Sequence, residues 1–225
     1  SQIPRPCNML RRKKRGAFIT AFADTDRNDV VLPETIAEVC TIASGRTEEG
    51  WLSAYDYTAV CEALEPLLPG EELGIKWPND IILHGHKLCG ILCESVCFGS
   101  SMDIVCGIGV NLAQTAEFFE KANIPHGGSV EMLTGVTIND RDKLAEDIAE
   151  RLYSYSRSGF ESVREKYVKR CLTVGKKIRI IENGSEREAF AEGIAPNGFL
   201  ICSDENGRFE VNSGEVSVRG LMDYI

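Results

Sequence analysis

Gly74-Ile75-Lys76-Trp77-Pro78-Asn79-Asp80-Ile81-Ile82-Leu83-His84-Gly85-His86-Lys87-Leu88-Cys89-Gly90-Ile91-Leu92-Cys93-Glu94 is the stretch from which the fold is read. An apolar run ends in Lys76, directly before a Pro-Asn-Asp turn. Proline has no N–H for a sheet ladder, so the strand must break or become an edge there. Lys76 is therefore fixed at a strand end. Ile81–Leu83 reads as a short strand, His84-Gly85-His86 as a turn, and Leu88–Glu94 as the returning strand of a hairpin. Gly90, inside an otherwise bulky strand, marks a bulge or the close approach of another group. Taken singly, each feature has a plain structural reading. Lys76 would be a solvated charge, Asn79 and Asp80 turn formers, and Gly90 a packing residue.

The next strand, Ile104–Val110, carries Gly107-Ile108-Gly109-Val110-Asn111 at its end. Glycines two apart share one face of a strand, so that face is stripped of side chains and a flat ligand has room against it. The pattern is not a dinucleotide fingerprint, because the third glycine and the following helix start are missing.

Upstream, Asp56–Leu68 carries Tyr57, Val60, Ala63, Leu64 and Leu67 at helical spacing. Asp24–Trp51 yields no assignment. Downstream, Leu144, Ile148, Leu152 and Tyr155 make Lys143–Tyr155 an amphipathic helix with Asn139 as its N-cap. Phe160, Val163 and Tyr167 form a second stripe. From about Thr173 onward the pattern changes. Asn183-Gly184, Asn197-Gly198 and Asn206-Gly207 are hairpin signals, and they separate Lys176–Ile181, Glu188–Ile194, Phe199–Cys202, Arg208–Val211 and Glu215–Val218. Five short strands in this space predict a small β-barrel.

The chain has 225 residues, 26% of them charged, and a net charge of −9, which gives no bulk attraction to nucleic acid. No apolar run approaches the ~20 residues that span a bilayer, and no signal peptide is legible, so the sequence reads as cytoplasmic. The nine cysteines include Cys89, Cys93 and Cys97 at four-residue intervals, but no histidine or second pair completes a zinc set. Small buried hydrophobes in a reducing compartment account for them. Against the acidic average, Arg5, Arg11, Arg12, Lys13, Lys14 and Arg15 all precede the first acidic residue, Asp24. Such a run is either a solvated tail or a site for a phosphate-bearing ligand.

In this order and spacing, Lys76-Trp77-Pro78-Asn79-Asp80, Lys87 with Gly90-Ile91-Leu92 and Glu94, and Gly107-Ile108-Gly109-Val110-Asn111 resemble the biotin protein ligase family. The resemblance covers roughly residues 52–225. It implies an α+β protein. Residues 1–172 would form a mixed sheet flanked by helices, and 173–225 the small C-terminal β-barrel. It also implies two steps: biotin and ATP give biotinyl-AMP, and a lysine of a biotin carboxyl carrier protein then takes the biotin. Lys76 would contact the biotin carboxylate and the adenylate phosphate. Gly90, Ile91, Leu92, Gly107, Ile108 and Gly109 would line the biotin slot. Trp77, Asn79, Asp80 and Asn111 would meet the nucleotide, with Mg²⁺ near Asn111. A homodimer is implied by analogy alone.

The family's Gly-Arg-Gly-Arg-x-Gly-Arg loop, which wraps the adenylate, has no match here. Its nearest counterpart is Arg11-Arg12-Lys13-Lys14-Arg15-Gly16, so Arg11, Arg12 and Arg15 are the candidate phosphate contacts. No segment ahead of the core is long enough for a winged helix, and a repressor role is not expected. Two alternatives stay open at this level. One is a relative that binds biotin, adenylate or a carrier domain without turnover, and the other is a ligase for lipoate or another acyl group.

Overall fold

A computed structural model of the chain describes residues 10–14, 17–22, 35–43, 50–98, 101–158, 161–182, 184–212 and 216–220. The first sheet comprises β1 (Leu10–Lys14), β2 (Ala17–Phe22), β3 (Thr35–Ala43), β4 (Gly74–Lys76), β5 (Asp80–Leu83), β6 (His86–Phe98) and β7 (Ser101–Asn111). Their order is β1-β2-β3-β7-β6-β5-β4. Among the described residues every ladder of this sheet is antiparallel, and parallel pairing is confined to two isolated bridges. The expected mixed sheet is thus an antiparallel one. The turns joining β4 to β5, β5 to β6 and β6 to β7 are too short for the crossover that a parallel pair needs.

The predicted hairpin is present. His84 and Gly85 form its two-residue turn with φ of 49° and 81°, the pair of positive values that matches strand twist. β3 occupies the segment left unassigned, and β6 and β7 run longer than the expected strands. The glycines and charges within them shorten the apolar signal, while the ladder continues through the backbone.

Helix α1 (Gly50–Leu64) is prolonged by a 3-10 turn, Glu65–Leu67. It packs against one face of the sheet with α4 (Arg141–Ser158) and α5 (Glu161–Arg170). Tyr57, Val60, Leu64, Ile148, Leu152, Val163 and Tyr167 are buried together there; Phe160 lies outside the described residues. The N-cap of α4 is Asp140, not Asn139. Its carboxylate accepts the Lys143 N–H at 3.0 Å, satisfying one of the donors that a helix start leaves open. Two short helices were not foreseen: α2 (Ala116–Lys121), capped by Thr115, and α3 (Val130–Thr134), capped by Ser129. Each is too short to show a periodic stripe.

Glu62 of α1 ties these helices together. It accepts from Tyr155, from Arg151 at 3.4 Å, and pairs with Lys166 at 2.8 Å. Burial alone would raise its carboxyl, but the bonds from Lys166 and Tyr155 outweigh it and hold the group below its ordinary value.

The C-terminal residues form the second sheet: β8 (Lys177–Glu182), β9 (Ser185–Ile194), β10 (Leu200–Asp204), β11 (Gly207–Val211) and β12 (Val216–Gly220). Gly184, Gly198 and Gly207 have φ of 78°, 82° and 121°, as their hairpin turns require; Asn183 is outside the described residues. The order is β11-β10-β9-β8-β12, and among the described residues no ladder joins β11 to β12. The five predicted strands are therefore present as an open antiparallel sheet and not as a closed barrel.

Candidate active site

Lys76 ends β4, Asp80 begins β5, and the two are ladder partners across the Trp77-Pro78-Asn79 turn, whose Trp77–Pro78 peptide is cis. The register continues from Asp80 to Gly90, to Gly109, to Ala37 and to Phe22. Directly opposed residues share one sheet face. One row therefore joins two ionisable groups to three positions with no side chain beyond Cβ. A neighbouring row holds Leu92, Gly107, Val39, Thr20 and Arg11. Gly107 and Gly109 share one face, as their spacing predicts, and the register brings Gly90 of β6 to the same face.

The two glycines that face each other differ. Among the described residues, a Cβ built on Gly109 meets nothing nearer than the Gly90 oxygen at 3.8 Å, so a methyl group fits there without a clash with them. A Cβ on Gly90 would lie 3.2 Å from Lys87 Cε and 3.3 Å from its Nζ. The Lys87 ammonium hangs over Gly90 and is ion-paired with Asp80. Of this pair the carboxylate is nearly buried and the lysine about one-third exposed.

Sequence reasoning gave Lys87 no role, for a geometric reason. Strict alternation places Lys87 and Gly90 on opposite faces. The register, however, shifts between Ile81 and Ile82: Ile81 faces Cys89 while Ile82 faces Lys87, so Leu88 is an extra residue. This bulge turns Lys87 onto the glycine face. The sequence offers a bulge or a close approach at Gly90; the bulge lies two residues earlier, at Leu88, and re-aims Lys87.

The backbone at Lys87 is fixed on both sides. Its N–H donates to His126 O at 2.6 Å, and Gly128 N–H donates to Lys87 O at 3.0 Å. Asn111 Nδ2 donates to Gly128 O at 3.1 Å and to Lys87 O at 3.4 Å, while its Oδ1 accepts from Gln114 at 3.3 Å. Asn111, expected at the nucleotide, therefore braces the lysine-bearing strand. Lys76 is 7% exposed at its end of the row, and Asn79 is exposed beside it with its carbonyl accepting the Ile91 N–H at 3.3 Å.

Other expected contacts stand apart from this row. Ile91 and Ile108 are ladder partners buried in the helix-packed core, on the face opposite the glycines. The period of two that aligns the glycines forces these neighbours to the other side. Trp77 is 2% exposed, and its indole N–H donates to Gly198 O at 3.4 Å. It is turned toward the C-terminal sheet. Arg11 is in register with Thr20, Val39 and Gly107, three strands away, whereas Arg12 is in register with Ile19, Cys40 and Cys106. Arg15 lies outside the described residues. Cys89, beneath the site, is fully buried, and burial pushes its thiol well above the ordinary range, which removes it as a nucleophile.

An antiparallel sheet with a glycine floor and a rigidly held ammonium beside it suits a ligase that activates a carboxylate, and residues 50–111 match the family model of the biotin/lipoate A/B protein ligases. A biotin–[acetyl-CoA-carboxylase] ligase of Mycobacterium tuberculosis is 33% identical over 209 residues, 90% of this chain and 74% of the relative. The chain belongs to the biotin protein ligase family. A ligase of the same description from Paracoccus denitrificans is 34% identical over 158 residues, 68% of this chain and 65% of that relative, just under two thirds of its length. The apo biotin protein ligase of Aquifex aeolicus superposes with a TM-score of 0.69 at 22% identity, over 82% of each chain, so the fold is shared.

Proposed function

We propose that this chain is a biotin protein ligase that forms biotinyl-AMP from biotin and ATP and then biotinylates a lysine of a carrier protein. The observation that carries this reading is the Lys87 ammonium, paired with Asp80 and held over Gly90, on the same row as Lys76 and the open floor at Gly109. The ring system of biotin lies on the Gly90–Gly107–Gly109 face, with Leu92 in the same row as Gly107. Its carboxylate points to Lys87 and Lys76. A carboxylate oxygen attacks the α-phosphorus of ATP, the bond to pyrophosphate breaks, and the acyl-adenylate remains. Two fixed ammonium groups reduce the repulsion between the anions, and no reorganisation is needed as charge develops. In the second step the acceptor amine attacks the acyl carbon, AMP departs, and the amine proton is lost to solvent.

Asn79, exposed in the turn between Lys76 and Asp80, is assigned to the nucleotide. Asn111 serves it indirectly by fixing Lys87, and Arg11 is the β1 residue in register with Gly107. Among the described residues no group of three His, Cys, Asp or Glu could hold a metal, and the Asn111 amide is engaged within the protein. Mg²⁺ accordingly enters as the companion of ATP, bound by its phosphates. Acetyl-CoA carboxylase, or another biotin-dependent carboxylase, supplies the acceptor. The use of ATP suits the cytoplasm, and two copies are expected to pair. Among the described residues no helix is long and apolar enough to cross a membrane.

Biotin-dependent exchange of labelled pyrophosphate into ATP tests the first step, and transfer to a purified carrier domain the second. Exchange with biotin but not with lipoate is expected. Absence of exchange would refute ligase activity, and preference for lipoate would change the substrate.

A further inference from the structure

The free edge of β4 is covered by the segment that leads into the C-terminal sheet. Cys171 bridges to Ile75 in parallel, and Leu172 N–H donates to Ile75 O at 2.8 Å. The contact is close: a Cβ on Gly74 would lie 2.4 Å from the Leu172 side chain. One residue further, the backbone ladder stops. Pro78 has no N–H, which leaves the Trp77 N–H as the amide donor at the start of the turn between Lys76 and Asp80. The hydroxyl of Thr173 accepts it at 3.0 Å. Trp77 and Thr173 are 2% and 4% exposed, so no bulk water replaces that bond, and the Cys171 sulfur, also within reach of the Trp77 N–H, is a weaker acceptor than the hydroxyl. The same side chain reaches the second sheet, through indole N–H to Gly198 O at 3.4 Å. Arg164 of α5 adds a bond to Ile194 O at 3.1 Å.

We propose that Thr173 is a positioning residue for adenylate formation. Its hydroxyl holds Trp77, and Trp77 sets the turn whose two ends are Lys76 and Asp80. Asp80 in turn holds Lys87 over the glycine floor. The C-terminal sheet thereby acts on the chemistry without touching substrate, through one side-chain acceptor at its entrance. The inference rests on the ligase reading above but assigns a role that neither the motif nor the register contains.

Thr173→Val keeps the volume and removes the acceptor, whereas Thr173→Ser keeps the hydroxyl. Pyrophosphate exchange would be measured on the full chain, well below the unfolding midpoint of every variant. Thr173→Val is expected to lower kcat about tenfold, equivalent to about 1.4 kcal/mol, with the KM for biotin little changed. Thr173→Ser should stay within about twofold of the parent. A purely structural role predicts a lower midpoint and an unchanged kcat, and that result overturns the proposal. So does a Thr173→Ser variant as slow as Thr173→Val, because volume would then be the cause. If Thr173→Val does not fold, Thr173→Cys takes its place. Its thiol is a weaker acceptor, so kcat should fall between the Ser variant and a tenfold loss, and equality with Ser overturns the proposal. A parent chain with no exchange removes the ligase reading itself, a failure distinct from an active parent with a silent Thr173→Val.

Discussion

Replacing Gly109 separates the ligand surface from the fold. Its backbone is not in the left-handed region, and among the described residues an added Cβ meets only the Gly90 oxygen, at 3.8 Å. Alanine is therefore tolerated by the protein, and the lower backbone entropy of alanine in a strand favours the fold by about 0.5–1 kcal/mol. The penalty falls on the ligand. A flat ring system lying on this floor must rise by about the length of one carbon–carbon bond. A single misplaced methyl group in an apolar pocket changes binding by about 1–3 kcal/mol, so the dissociation constant for biotin should rise roughly 10- to 200-fold. Gly109→Val should raise it further. Gly90→Ala should behave differently, because its Cβ would lie 3.2 Å from Lys87 Cε and displace the ammonium. Displacement of a reacting group by ~1 Å costs roughly a hundredfold in rate, so Gly90→Ala should lower kcat for exchange more than it weakens biotin binding. Calorimetric titration with biotin, exchange kinetics and a thermal melt of each variant provide the measurements. Gly109→Ala with unchanged biotin affinity, or with a midpoint lowered by many degrees, refutes the assignment of this face to the ligand.

Other substitutions probe the charges and the core. Two unit charges ~4 Å apart at an effective dielectric of ~20 interact by ~4 kcal/mol. The partial exposure of Lys87 roughly halves that value, so Lys87→Met should slow exchange about 30-fold; a loss under threefold would remove its role. Lys76→Ala should abolish measurable exchange while the far-ultraviolet circular dichroism stays native, and retained kinetics would exclude Lys76 from the chemistry. The Glu62 carboxyl sits below its ordinary 4.5 in the folded chain. Its contribution is therefore complete above that pH and is lost as pH falls through the folded value. The stability gap between the parent and Glu62→Gln in urea should shrink below pH 4.5, and a gap that widens on acidification contradicts the assigned network. Leu64 is fully buried in the helix-packed core, so Leu64→Ala should cost ~2–5 kcal/mol in denaturant unfolding, and a cost below ~1 kcal/mol would contradict that packing.

Much of the fold was legible from local chemistry. The proline after Trp77 ends β4, the His84-Gly85 dipeptide makes the hairpin, and the three Asn-Gly pairs divide the C-terminal strands. Each depends on the backbone freedom of one or two residues, which a sequence states directly. The alternation of Gly107 and Gly109 likewise announced a bare face, because strand periodicity is a local property. Less was legible where the signal was short or interrupted, as in α2, α3 and β3. The α4 cap was displaced by one residue because Asn139 and Asp140 are both good caps, and only the path of the chain chooses between them.

The sequence by itself determined which residues are available: a strand-end lysine, a second lysine three residues before a glycine, two alternating glycines, and the motif order that resembles biotin protein ligases. The tertiary structure decided which of them meet. It aligned Gly90 with Gly109 and Asp80 through the register of three strands, and it sent Ile91 and Ile108 to the core. Through the bulge at Leu88 it carried Lys87 across the sheet to pair with Asp80. It also turned Trp77 away from the site toward Thr173 and Gly198. The physical reason is that a one-residue shift in a ladder reverses every side chain beyond it, and such a shift is settled by pairing between distant strands.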